Sequence, residues 1–205
     1  PFPYLDVCAP TLGRRLLLCA QDIDIESNAP LTAGVSPSMV RDLKVSHVIV
    51  GHSERRARGE TDASVGQKVS AVHKENMTSV ICVGERDRDH SGKYFGVVEA
   101  QVLGALGAVS RAQLARVVIA YEPVWAISRG DGHGQTATAD TAHEMKLFIQ
   151  KVLVGKYGRA SALRVPIIYG GSVNKENALE LLSGAVDGFL VGGASIKADA
   201  FISIL

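Results

Sequence analysis

SHVIVGHSERRARGETDASVGQKVSAVHKENMTSVICVGE (residues 46–85) contains a unit that indicates the architecture of the whole chain. Two unbroken apolar runs, within 46–52 and 78–85, flank a segment in which Val65, Val69 and Val72 recur at helical spacing. Neither run alternates polar with apolar residues, so each is expected to be a strand covered on both faces, as in a parallel sheet. Thr61 or Asp62 is the expected start of the intervening helix. The stretch therefore predicts a strand, a helix and a second, parallel strand.

The same alternation recurs along the rest of the chain. Further strand-like runs occupy 15–21, 116–122, 165–171 and 188–194, and helical apolar stripes occupy 39–43, 145–152 and 178–182, the last with Asn174 as its expected start. Repeated strand–helix units predict an α/β fold, either a (β/α)8 barrel or an open doubly wound sheet. No stretch has the composition of a linker, so residues 1–205 are expected to form a single domain.

Composition narrows the function classes. The 205 residues are 46% hydrophobic and 21% charged with a formal net charge of +1, which predicts an ordinary soluble domain and gives no electrostatic case for nucleic acid or a membrane surface. No apolar run approaches the roughly 18 residues of a membrane span. Cys8, Cys19 and Cys82 are widely spaced and are expected to be buried thiols in a reducing cytoplasm. No His, Cys, Asp or Glu spacing suggests a metal site.

Polar residues and glycines follow the apolar runs, where the carboxyl ends of parallel strands meet and ligands bind. They are Gln21, 51–54, Gly84-Glu85, Glu122, 170–172 and Gly192-Gly193. The stretches YGGSVNKENA (169–178) and VGGASIKADA (191–200) each place a Gly-Gly before an expected helix start. They suit an anion such as phosphate, because backbone can approach it closely and free N–H groups can bind it. The alternative is that each Gly-Gly only makes a tight turn.

Two strand-end residues are candidates for acid–base chemistry. His52 precedes Ser53, an expected helix cap, so a neutral His52 ring could donate a hydrogen bond to a developing oxyanion. Glu122, partly desolvated by neighbours such as Tyr121, could serve as a general base. Each also has a structural alternative, a packed histidine in one case and an exposed strand-end charge in the other.

Four motifs occur together and in order: GHSERR (51–56), AYEPVWAI (120–127), YGGSV (169–173) and GFLVGGAS (188–195). With CAQD (19–22), LTAGVSPSMV (31–40) and ICVGE (81–85), they make the whole chain resemble the triosephosphate isomerases. The resemblance implies a (β/α)8 TIM barrel and a cytoplasmic homodimer. It also implies a cofactor-free, metal-free isomerase of glycolysis and gluconeogenesis that interconverts dihydroxyacetone phosphate and D-glyceraldehyde 3-phosphate through an enediolate.

The resemblance also assigns roles to residues. It implies that Glu122 is the base and that His52 polarises the carbonyl, which are the roles of the glutamate and the histidine in the family. It implies that backbone groups of Ser128, Ser172, Gly192 and Gly193 bind the phosphate. Glu54 and Arg55 would support these groups, with Arg55 at the subunit interface.

The chain departs from the family pattern at three places. The lid-like segment reads WAISRGDGHGQTA (125–137) where the family reads WAIGTGKTA, with Ser128 in place of glycine and four more residues. We expect its stretch 128–135 to be mobile without ligand. Ala33-Gly34 replaces a Gly-Glu of the family's dimer contact. The family's opening strand, which ends in Asn-x-Lys, has no counterpart.

Residue 1 corresponds to the loop after the family's second strand. The first strand–helix unit and the second strand are thus expected to be absent from the sequence, either omitted from it or truly missing from the protein. If they are truly missing, the alternative function is a non-catalytic phosphate-binding or assembly protein on the same scaffold.

Overall fold

The computed structural model describes residues 1–13, 15–25, 31–127, 137–183 and 186–204. The chain forms two compact units, each built from two stretches of sequence. The first unit comprises Pro1–Ile81 and Gly104–Val118, and the second comprises Cys82–Leu103 and Ile119–Leu205.

Strands and helices alternate along the described residues. The strands are β1 (Cys19–Ala20), β2 (His47–Val50), β3 (Thr78–Val83), β4 (Val117–Tyr121) and β5 (Ile167–Tyr169). The helices are α1 (Phe2–Cys8), α2 (Pro37–Asp42), α3 (Ser53–Ala57), α4 (Asp62–Lys74), α5 (Lys93–Ala105), α6 (Ala139–Tyr157), α7 (Arg159–Ala162), α8 (Ala178–Leu182) and α9 (Ala198–Ile202). Short 3-10 turns lie at Ala9–Thr11, Ala112–Arg116, Val124–Ala126 and Gly193–Ile196.

The first unit contains the predicted strand–helix–strand unit. β2 pairs in parallel with β1 on one side and with β3 on the other, with His47 opposite both Cys19 and Thr78. The Thr61 side chain accepts a hydrogen bond from the backbone N–H of Ser64, and the Ser64 hydroxyl accepts one from Thr61. This reciprocal cap begins α4 where the sequence predicted. The periodic valines of α4 are fully buried, which confirms the predicted inward face.

The second unit is built around β4 and β5. These strands are parallel, with Ile119 opposite Ile167, and both isoleucines are fully buried. Thr138 caps α6, because its side chain accepts from the N–H of Thr141, and the helix buries the predicted Met145 and Ile149. Buried positions every three to four residues thus place one face of α6 in the core of this unit.

Two of the predicted runs keep only one or two paired residues in the structure. In 15–21 only Cys19–Ala20 is strand, because Leu16 and Leu17 are 64% and 67% exposed and find no packing to stabilise an extended segment. In 188–194 only Phe189 pairs, through an isolated parallel bridge to Tyr169. Gly188, Gly192 and Gly193 weaken a strand there, since glycine loses the most backbone entropy on folding.

Three local predictions were wrong. The segment placed in a loop at the start of the chain forms α1, where Pro3 lies in the first turn and so removes no intrahelical hydrogen bond. The expected cap Asn174 instead closes the turn before α8, accepting from the N–H groups of Glu176 and Asn177, and Asn177 is the residue that caps α8. Cys82 is buried and Cys19 partly so, but Cys8 is exposed because α1 buries only Leu5.

Candidate active site

Glu122 lies at the end of β4, held on both sides by backbone hydrogen bonds of the second unit. Its N–H donates to the carbonyl of Val83 at 2.8 Å, and the N–H of Gly170 donates to the carbonyl of Tyr121 at 2.8 Å. The residue is only 2% exposed. The end of β3 and the residue after β5 therefore fix the backbone on either side of Glu122, and its carboxylate is a buried one rather than the exposed strand-end charge of the structural alternative.

Two glycines make room for Glu122. A Cβ at Gly170 would lie 2.7 Å from Cγ of Glu122, and a Cβ at Gly84 would overlap the Glu122 backbone carbonyl. Gly171 is constrained in the same way, because a Cβ there would overlap the hydroxyl of Tyr169. Packing against Glu122 and Tyr169 therefore explains why the first Gly-Gly consists of glycines, whatever it binds.

The buried carboxylate of Glu85 accepts hydrogen bonds from three donors. Its Oε1 accepts from the Tyr121 hydroxyl at 2.9 Å, from Trp125 Nε1 at 2.8 Å and from Arg88 Nε at 3.2 Å. Burial and then the negative charge of Glu85 raise the pKa of Tyr121, so its phenol stays protonated and donates. Arg88 also pairs with Glu144 of α6 at 3.0 Å. This cluster fixes Tyr121 and Trp125 on either side of Glu122-Pro123.

The chain after Glu122 is anchored at two further points. Val124 donates its N–H to the Glu85 carbonyl at 3.0 Å, and the Ser172 hydroxyl donates to the carbonyl of Ala126 at 3.2 Å. The first residues of the predicted lid thus form an ordered 3-10 turn. Ser128 and the expected mobile stretch 128–135 lie outside the described residues.

The other predicted phosphate-binding positions of the second unit lie in loops and turns. Ser172 follows β5, and its carbonyl accepts from the side-chain amide of Asn177 at 2.9 Å. Gly192 and Gly193 are exposed, and a Cβ added to either would meet no atom within 4 Å. Unlike Gly170 and Gly171, these glycines border open space, so a ligand can approach their backbone.

His52 belongs to the first unit and itself caps α3. Its Nδ1 accepts from the N–H of Glu54 at 3.3 Å, so His52, and not Ser53 as predicted, is the cap residue. A ring nitrogen that accepts carries no proton. In this arrangement Nδ1 is the acceptor, so the hydrogen of a neutral ring lies on Nε2.

Arg55 and Glu54 follow His52 on α3. Glu54 is exposed, while Arg55 pairs through Nε with Asp22 at 2.7 Å. Asp22 and Glu60 in turn both pair with the buried Nζ of Lys68, each at 2.6 Å. Arg55 thus joins a charge network of the first unit that sequence reasoning did not predict.

Sequence reasoning also missed roles for Glu85 and Gln101. The sequence places Glu85 among the polar residues at strand ends, and that position is the signal that could have identified its role. Gln101 is an amide on the buried side of α5, beside Val98 and Val102. A polar residue within an apolar helical stripe is the signal that could have identified it.

In the described part of the chain, no group of three or more His, Cys, Asp or Glu residues could hold a metal ion. No helix among the same residues is both long enough and apolar enough to cross a membrane.

Comparison with known proteins places this geometry in a family. The family model described as Triosephosphate isomerase matches residues 1–205. The chain belongs to the triosephosphate isomerase family. A curated triosephosphate isomerase of Carboxydothermus hydrogenoformans is 44% identical over an alignment that covers 100% of this chain and 82% of that protein. One of Citrifermentans bemidjiense is 43% identical and covers 96% of this chain and 78% of that protein.

A solved structure agrees with the sequence matches. The crystal structure of the Bartonella henselae triosephosphate isomerase superposes with a TM-score of 0.86 at 36% identity, covering 98% of this chain and 81% of that chain. The family resemblance and the TIM-barrel fold class predicted from the four motifs are therefore confirmed, and the chain is an isomerase of this family.

Proposed function

We propose that the chain interconverts dihydroxyacetone phosphate and D-glyceraldehyde 3-phosphate by proton transfer through an enediolate, without a cofactor, in glycolysis and gluconeogenesis. The match to the triosephosphate isomerase family over the whole chain supports the reaction. Among the described residues, the observation that supports it most strongly is the Glu122 carboxylate, which is buried at a strand end between residues that leave it little freedom to move. The matched relatives give no support to the non-catalytic alternative.

Glu122 is proposed as the base. It removes a proton from the carbon next to the carbonyl, and the electron pair of that C–H bond moves to form the enediolate. The same carboxyl group then returns the proton to the neighbouring carbon, and the hydroxyl proton on the oxygen of the first carbon passes to the oxygen of the second, so no atom is gained or lost. A carboxylate fixed by its backbone and by Gly170 can hold one position through both transfers, which favours proton transfer at each carbon.

His52 is proposed as the group that polarises the substrate carbonyl. Its neutral ring, with the hydrogen on Nε2, is a donor suited to an oxygen on which negative charge develops. Because Nδ1 is engaged by the Glu54 backbone, the ring keeps this tautomer and presents one donor.

We infer that the phosphate is bound by backbone groups of Ser172, Gly192 and Gly193, with Ser128 contributing from the lid. Open space beside Gly192 and Gly193 supports this assignment. Glu54 and Arg55 are proposed to hold the segment around His52, which the ion pair between Arg55 and Asp22 supports.

We further propose one TIM-barrel domain acting as a cytoplasmic homodimer. The family resemblance supports this state, with Arg55, 43% exposed at its side chain, near the interface. In the loop corresponding to the family's dimer contact, Gly34 donates its N–H to the Leu31 carbonyl at 3.0 Å, and a Cβ on Gly34 would lie 2.8 Å from Leu31 Cδ2. A tight turn therefore replaces the family's carboxylate at this point.

The test is steady-state turnover of glyceraldehyde 3-phosphate by the full-length protein. Glu122→Gln should lower kcat by about 10² to 10⁴, because it removes the base and keeps the shape. His52→Gln should lower kcat by about 10² to 10³, because it removes the ring N–H that is proposed to donate a hydrogen bond to the developing oxyanion. Glu99→Gln is the matched control, since Glu99 is an exposed carboxylate on α5, and it should retain wild-type turnover. Wild-type turnover in Glu122→Gln would contradict the proposal.

A further inference from the structure

Gln101 is a buried amide whose two hydrogen bonds both go to one residue. Its Oε1 accepts from the N–H of Gly84 at 2.7 Å, and its Nε2 donates to the carbonyl of Gly84 at 3.1 Å. The backbone groups fix this orientation of the amide, because an N–H can only donate and a carbonyl can only accept. Gln101 is 9% exposed, so an unpartnered amide there would be costly. The side chain thus pairs with Gly84 as a neighbouring strand would.

Gly84 is the first residue after β3, and it lies directly against Glu122. A Cβ on Gly84 would overlap the Glu122 carbonyl, so these two backbones are in close contact. The residues on either side of Gly84 accept hydrogen bonds from the segment that contains Glu122. Val83 accepts from the N–H of Glu122 at 2.8 Å, and Glu85 accepts from the N–H of Val124 at 3.0 Å. Any movement of the Gly84 backbone is therefore transmitted to Glu122.

We propose that Gln101 is a positioning residue for the reaction: by clamping both backbone groups of Gly84, it holds the surface on which Glu122 rests. This inference rests on the proposed role of Glu122 as the base. Gln101 acts through Gly84 and has no part in the proton transfer itself. A helix residue serves this purpose because the helix is rigid, whereas the backbone at a strand end has left the hydrogen-bond ladder.

The substitution that tests the clamp is Gln101→Met, which keeps the length of the side chain and removes both hydrogen bonds. We expect kcat to fall about 10- to 100-fold, since a displacement of a reacting group by about 1 Å costs up to about 10²-fold. KM, and the inhibition constant of inorganic phosphate, should change less than about threefold, because the proposed phosphate-binding groups are not touched. Gln101→Glu, which keeps the acceptor for the Gly84 N–H, should retain more activity than Gln101→Met.

The matched control is Val98→Ala, another buried position of α5 with no polar atom in its side chain. It lowers stability through lost packing and should leave kcat within about twofold of wild type. If Gln101→Met folds and also keeps kcat within twofold, the proposal is overturned. If Gln101→Met does not fold, Gln101→Glu decides: a kcat below that of Val98→Ala supports the clamp, and an equal kcat overturns it.

Amide hydrogen exchange separates this inference from the proposed function. Loss of the clamp should speed exchange at Gly84 and Glu122 by about tenfold or more in Gln101→Met, and this measurement needs no turnover. A wild-type protein without isomerase activity contradicts the proposed function alone, because the exchange result still tests the clamp. Exchange at Glu122 that equals the wild-type rate would refute the coupling through Gly84.

Discussion

Replacing Gly170 with alanine changes the position of the Glu122 carboxylate and removes no functional group. A Cβ at residue 170 would lie 2.7 Å from Cγ and 3.4 Å from Oε1 of Glu122. Carbon atoms pack at about 3.5–4.0 Å, so the two groups must separate by about 0.8 Å or more. Misplacement on this scale costs a reaction up to about 10²-fold, which corresponds to about 2.7 kcal/mol of activation free energy.

The assay is steady-state turnover, with thermal denaturation to compare stability. We expect Gly170→Ala to lower kcat by about 10- to 100-fold and to leave KM within a few fold. Gly155→Ala is the matched control, because Gly155 lies inside α6 and a Cβ there would meet nothing within 4 Å. It should raise the free energy of unfolding by about 0.5–1 kcal/mol and leave kcat unchanged. A folded Gly170→Ala variant with wild-type kcat would refute the reasoning that this glycine sets the position of the base.

Three other tests concern the buried polar groups. Lys68→Met should lower the free energy of unfolding by about 3–5 kcal/mol in denaturant titrations, because it leaves the Glu60 carboxylate, 6% exposed, without its cation; adding Glu60→Gln should recover part of that loss. Glu85→Gln should cost about 1–3 kcal/mol in the same titrations and shift the fluorescence of Trp125, the single tryptophan, whose indole N–H donates to this carboxylate. Burial lowers the pKa of His73 from 6.5, so the unfolded state takes up the proton first; its contribution to stability is complete above about pH 6.5 and declines as the pH falls below that value, and His73→Gln should flatten the decline in melting temperature. An unchanged unfolding free energy in either of the first two, or an unaltered pH profile in the third, would contradict the corresponding assignment.

Features specified by local sequence were predicted well. The apolar runs around β2, β3 and β4 are strands, and Thr61 begins α4, because a continuous apolar run and a hydroxyl cap act through neighbouring residues. The position of Glu122 at a strand end also follows from the run before it. The four motifs then gave the family, which the comparisons confirm.

Features that depend on distant partners could not be predicted from one sequence. The glycines at 84 and 170 are required by contact with Glu122, which no nearby residue reveals. Gln101 and Glu85 acquire their roles from hydrogen bonds to residues 17 and 36 positions away. The run 188–194 failed as a strand because its glycines weaken an extended segment, and apolar character alone does not show this.

The most direct test of Glu122 as the base is exchange of the substrate's carbon-bound hydrogen with solvent. In deuterated water, the wild-type full-length protein should transfer solvent deuterium to the product, because the proposed enediolate is reprotonated by a carboxyl group whose proton can exchange with water. Glu122→Gln should retain inhibition by inorganic phosphate and show deuterium incorporation reduced by about 10² or more. Incorporation at the wild-type rate in Glu122→Gln would contradict the assignment of Glu122 as the base.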